Sequence, residues 1–159
     1  MTRQSRGPSS FSLVEVTLAL GVAAVSLLVI FSLLPIGLQT NQRSIEQTAS
    51  ADILSAVGAD LRATPVTNPR GGGATSTQFG INIPAAGSTG TTTLFFNSPG
   101  QFSTSQQSDS RYRMTVTFPS SGGGAKTATF ADLKVTWPAG AAVANAQGSA
   151  EMFAAFDRN

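Results

Sequence analysis

The chain has 159 residues and a formal net charge of +2, and it contains neither cysteine nor histidine. That length suits one modest domain with an appendage. Only 11% of residues are charged, against about 25% in a typical domain, and the basic ones are scattered, so nothing here marks a nucleic-acid partner. The missing residues exclude a disulfide framework, a thiol nucleophile, and the commonest general base and metal ligand. No catalytic set, no metal site and no cofactor are therefore expected.

Residues 1–10 carry Arg3 and Arg6 and no acid. An apolar run then opens at Phe11 and continues to Leu38, with Glu15 as its one charge and none at all over the 23 residues from Val16. A bilayer core of about 30 Å takes about 20 helical residues at a rise of about 1.5 Å each, so segment 11–38 is long enough to cross. Basic residues ahead of it and a mixture of Arg43, Glu46 and Asp52 behind it put the N-terminus in the cytoplasm and the remainder outside. A cleaved secretory signal has an apolar core of about 7–15 residues followed by a small-x-small cleavage site, and neither feature is present. A plain single-span anchor fits length and orientation but leaves Glu15 without a reason. A carboxylate within such a helix costs about 2.5–3.5 kcal/mol on insertion scales, and residues that carry this cost usually have a partner.

The stretch Phe11-Ser12-Leu13-Val14-Glu15, followed by Val16-Thr17-Leu18-Ala19-Leu20-Gly21, resembles the class III signal of type IV pilins and type II secretion pseudopilins. The resemblance implies that residues 1–10 are a leader, removed by a prepilin peptidase between Ser10 and Phe11. It also implies that the new Phe11 amine is methylated and that Glu15 is the acid used in assembly. The family usually has Gly immediately before the cut; here the small residue Ser10 holds that place, with Gly7 three positions earlier. The implied fold is α+β and pilin-like, with a long N-terminal helix packed on a small antiparallel sheet. The implied partners are other pilin-like subunits, the peptidase, an inner-membrane assembly platform and the lipid bilayer. The implied location is the bacterial inner membrane, then a filament at the cell surface. Taken with Leu33-Leu34-Pro35-Ile36-Gly37-Leu38, the motif is also similar to the Verru_Chthon cassette protein B family, prepilin-like proteins encoded in multi-gene cassettes. On this reading the cationic amine of Phe11 attracts Glu15 of a neighbouring subunit where the dielectric is low, and the pair sets the axial register of a filament.

Pro35 lacks a backbone donor and crowds the carbonyl of Phe31, so with Gly37 beside it a kink or a local loss of helix is expected over residues 31–37. Beyond it, Ile45, Ala49, Ile53, Val57 and Leu61 recur every four residues with Leu54 alongside, while Arg43, Glu46, Asp52, Asp60 and Arg62 take the other faces. Residues 39–63 thus form an amphipathic continuation of the helix, its apolar stripe facing a sheet. Gly58 weakens it slightly, and it stops before Pro65.

Residues 64–159 turn to Gly, Ser, Thr and Pro with short apolar clusters. Arg111 to Phe118 alternates cleanly, as does Leu133 to Trp137 with Phe130 belonging to the same strand; Ser120 to Lys126 links the two as a hairpin loop. Thr92 to Asn97 reads as a third strand, Phe79 to Ile83 as an edge piece ended by Pro84, and Glu151 to Phe156 as a last strand in preference to a helical turn. An antiparallel sheet of three or four strands with the helix on one face follows. Asn68 to Gly73 lacks the Lys-Ser/Thr of a phosphate loop and reads as a flexible connection. Asp109 and Asp132 lack calcium-site spacing and read as surface acids. Arg111 and Arg113 belong to a sheet edge or solvent face, and Trp137 to the core. The rival to a filament subunit is a single-span, membrane-anchored extracytoplasmic binding domain that does not polymerise.

Overall fold

A computed structural model of the chain describes residues 11–64, 73–85, 88–120 and 128–156. Ser10, the leader, the connection over 65–72 and the hairpin loop over 121–127 lie outside the described residues. A helix, α1 (Leu13–Ala63), comes first; the strands follow as β1 (Ala74–Thr75), β2 (Asn82–Ile83), β3 (Gly90–Phe96), β4 (Phe102–Ser103), β5 (Tyr112–Phe118), β6 (Thr129–Trp137) and β7 (Gly148–Phe156). The chain divides between Ser44 and Ile45 into two units.

In the first unit α1 runs without a break through Pro35 and Gly37. Of the kink or loss of helix expected over residues 31–37, the loss does not occur: Pro35 removes one intrahelical bond, the one that would reach the carbonyl of Phe31, and the flanking turns stay helical. Every residue from Phe11 to Ser44 is exposed.

In the second unit the strands form one five-stranded sheet in the order β4-β3-β5-β6-β7 and a separate pair, β1-β2. Every neighbouring pair is antiparallel. This is the expected α+β arrangement, with the later turns of α1 packed on the sheet. Five strands replace the expected three or four because the chain reverses at Asn97–Gln101, where Gly100 takes φ +85°, a conformation that suits glycine, and lays Phe102–Ser103 beside Phe95 and Phe96. The last strand is confirmed and starts earlier, at Gly148. The expected edge piece Phe79–Ile83 is corrected: only Asn82 and Ile83 pair, with Ala74 and Thr75, while Phe79 and Ile81 enter the core from a turn.

Alternation decides which residues meet. Tyr112, Met114, Val116 and Phe118 of β5 are buried, as are Leu133, Val135 and Trp137 of β6, since residues two apart share a face. Ile53, Leu54, Val57 and Leu61 close the layer from α1. Ile45, at 58% exposure, does not join the stripe as expected, and Asp60, expected on a polar face, is 5% exposed. On a 3.6-residue helix Asp60 lies only about 20° from Ile53, within the apolar arc. Two glycines set close approaches. A Cβ on Gly58 would come within 2.7 Å of Met152, and one on Gly148 within 2.3 Å of the Trp137 ring. The Met152 atom facing Gly58 is the flexible tip of its side chain and can shift, whereas the Trp137 ring facing Gly148 cannot, so Gly148 is the position that needs glycine.

Candidate functional site

The first turn of α1 carries the residues of greatest functional interest. The carbonyl of Ser12 accepts from the amides of Glu15 and Val16 at 3.0 and 3.2 Å, so Ser12 starts the helix and Glu15 stands three residues in. Phe11, Glu15, Val16, Ala19, Leu20 and Ala23 line one groove along the helix, as a spacing of three to four residues requires. The structure thus brings Phe11 and Glu15 to one face, four residues apart. It also gives Glu15 a local setting missed in the sequence: Ser-x-x-Glu is the capping-box spacing, and a carboxylate in a first turn is favoured by the helix dipole.

Beyond the first turn, the three hydroxyls of the apolar run up to Leu38 are spent on their own backbone. Thr17 donates to the carbonyl of Val14 at 2.9 Å, Ser26 to Val22 at 2.8 Å and Ser32 to Val29 at 2.7 Å. Such bonds remove the need for water. Of the side chains from Phe11 to Leu38, Glu15 alone is charged, and the helix is long and apolar enough to cross a membrane.

The second unit places its polar residues in structural roles. Asp60 Oδ1 accepts from the Gln78 amide at 3.1 Å and from the Thr77 hydroxyl at 3.3 Å, and Oδ2 from the Phe79 amide at 3.1 Å. Burial alone would push this carboxyl up; the hydrogen bonds from the Ser76 hydroxyl, the two amides and Thr77 outweigh it and hold it below the ordinary carboxylate value. The carboxylate thereby fastens the turn after β1 onto α1. Arg111 Nη2 donates to Glu46 Oε1 at 2.7 Å. The Arg113 guanidinium lies over the Phe95 ring, 5.7 Å from its centre. Asp109 and Asp132 are exposed as expected, Asp109 accepting from Asn97 Nδ2 at 3.0 Å. Among the described residues no group of acids is arranged to hold a metal. A cleft of about 220 Å³ opens between Ala49, Asp52 and Ile53 of α1 and the turn at Asn97–Gly100.

These features define an α+β protein with one membrane-capable helix and a sheet domain built on that helix's later turns. Compared with models of protein families, with curated proteins and with solved structures, the chain matches none.

Proposed function

We propose that this chain is a structural, pilin-like filament subunit: a leader is cut away before Phe11 by a prepilin peptidase, the Phe11 amine is methylated, and the helix is held in the inner membrane until subunits assemble. The observation that carries the reading is the combination at the start of α1. A carboxylate shares one helix face with Phe11, at the head of a run that is wholly exposed and otherwise uncharged to Leu38. Exposed apolar surface on that scale needs lipid or other helices around it. Within a bundle of such helices, Glu15 of one subunit neutralises the Phe11 amine of the next, and removing one partner strands a desolvated charge at a cost of about 3–5 kcal/mol. The domain that follows stands on the periplasmic side and then on the filament surface.

A second reading is favoured by the capping position of Glu15. In it the carboxylate serves only its own helix, the chain is a single-span anchor, and the cleft beside Asp52 belongs to a binding domain. Glu15→Gln separates the two, because glutamine keeps the size of the side chain and its ability to accept at a capping-box position and loses the charge. The filament reading expects N-methylated Phe11 by mass spectrometry of purified protein, with the chain in sheared filaments, and at least a tenfold loss of incorporation for Glu15→Gln at unchanged membrane content. An intact Met1 with no filaments is the result that defeats it.

A further inference from the structure

The five-stranded sheet ends in two unequal edges. On one side β7 offers all nine residues, Gly148–Phe156, paired among the described residues only with β6 and in a register that never slips. On the other, β4 covers β3 only at Phe95 and Phe96. Gly90 lies against Pro84, and among the described residues no strand pairs with Thr91–Leu94 on its outer side. A row of unpaired N–H and C=O groups is a template for another strand, and edges not meant to pair are blunted with lysine, proline or a bulge. Neither stretch carries any of these. The charge on β7, Glu151, is paired with Lys134 on the neighbouring strand, and Thr91–Leu94 has no charge.

The polarity of the strands selects the occupant. Two antiparallel strands, β5 and β6, lie between β3 and β7, so β3 and β7 run in opposite directions. A second copy set beside the first in the same orientation therefore presents its β3 antiparallel to β7. Antiparallel pairing of β7 with β7, in contrast, is a two-fold contact that uses up the same edge of both copies and stops at a dimer, whereas a β7-to-β3 contact leaves a free edge for the next copy. The side chains agree. On the solvent face β7 presents Glu151, Phe153 and Ala155, and β3 presents Thr91 and Thr93. Phe153 is 65% exposed and stacked on Phe130 with ring centres 5.7 Å apart. An aromatic ring facing a β-branched residue across two strands is a favourable cross-strand pair.

We infer that β7 of one subunit takes β3 of the next, head to tail and antiparallel, so that the sheets of successive copies join along their edges. The inference rests on the filament reading and adds a second, extracytoplasmic contact to it. Such a contact is heterologous, and where its rotation does not close into a ring it builds an open array.

The chain has no cysteine of its own, which makes the test clean. Thr93→Cys is combined in the full-length chain with Glu151→Cys, Phe153→Cys or Ala155→Cys in turn, positions that step along one face and sample successive registers. Opposed residues of antiparallel strands lie within the Cα separation a disulfide spans. After mild oxidation in membranes, one of the three pairs is expected to yield a ladder of dimers, trimers and higher species, while every single-cysteine chain stays monomeric. Unchanged Trp137 fluorescence shows that the domain is folded. Dimers from Phe153→Cys alone, or no ladder from any pair, overturn the inference. Filaments bearing N-methylated Phe11 without a ladder sink the edge contact and leave the filament reading standing; retained Met1 without filaments sinks the filament reading first.

Discussion

Two stretches of one helix use similar residues to opposite ends. From Leu13 to Leu38 apolar side chains stand all round α1, and none is buried. From Ile45 to Ala63 they fall in a stripe, and Ile53, Leu54, Val57 and Leu61 disappear beneath the sheet. A helix that is apolar on every side has to be surrounded, whereas a striped one has to be covered on one flank. The arrangement, not the amount, of hydrophobicity thus tells which solvent each stretch is made for. The sharpest way to break this contrast is to truncate the same residue type in both. Leu61→Ala, at a site 2% exposed, is expected to cost the domain about 2–5 kcal/mol through lost burial and a cavity. Leu27→Ala, at 53% exposure, should leave domain stability unchanged. Trp137, the one tryptophan and 7% exposed, reports both in denaturant titrations of the full chain in detergent. Equal losses would mean that the two stretches are not energetically separate.

How much of this was written in the sequence depends on how local the cause is. The stripe from Ile53 to Leu61 and the alternation of β5 and β6 are periodic, so they are readable without a structure. The strand at β4 is not, because two residues, Phe102 and Ser103, carry no period; they pair only because the turn at Gly100 brings them back to Phe95 and Phe96. Gly58 reads as a weak point in the helix and Gly148 carries no local signal, yet at Gly148 the Trp137 ring comes too close for a side chain. That is a property of two distant segments and no local pattern encodes it. Asp60 was legible in part. Its helical angle falls inside the apolar arc, but the amides of Gln78 and Phe79 that justify a carboxylate there come from 18 and 19 residues further on. The candidate site divides in the same manner: the motif Phe11 to Glu15 is local and can be read, while the inferred matching of β3 and β7 depends on strand order, which no local pattern encodes.

Asp60 provides the next test, because it ties the stability of the striped half of α1 to pH. Its carboxylate is held below the ordinary value by hydrogen bonds to the turn after β1, against about 3.9 in an unfolded chain. A folded-state pKa that is depressed contributes stability above the unfolded pKa, and that contribution is lost as pH falls through the folded value. The domain should therefore keep the full contribution at neutral pH and shed it below about pH 4. Asp60→Asn offers one acceptor oxygen in place of two and leaves part of the donor set of Ser76, Thr77, Gln78 and Phe79 unanswered. It is expected to cost about 1–3 kcal/mol at pH 7, with the gap to wild type narrowing in acid. Urea midpoints taken between about pH 2.5 and pH 7 would reveal this; a gap that stays constant with pH means that Asp60 acts through packing and not through its charge.

The smallest effect is expected where the domain half of α1 begins. Glu46 is one residue past the division at Ile45, and its partner Arg111 precedes β5, so the pair ties the first turn of this half to the sheet at 2.7 Å. The geometry is good, but the Arg111 side chain is 47% exposed, and ion pairs in contact with water return about 0–1 kcal/mol after the entropy of two long side chains is lost. A double-mutant cycle of Glu46→Gln and Arg111→Ala is thus expected to give a coupling below about 1 kcal/mol, smaller still in 1 M salt, where screening acts over about 3 Å. Ile45 beside it is exposed, so little apolar burial stands behind the pair. A coupling well above that range that survives salt would show Glu46 and Arg111 to be shielded from solvent, and the domain half of α1 would then begin at an anchored turn, not a weakly held one.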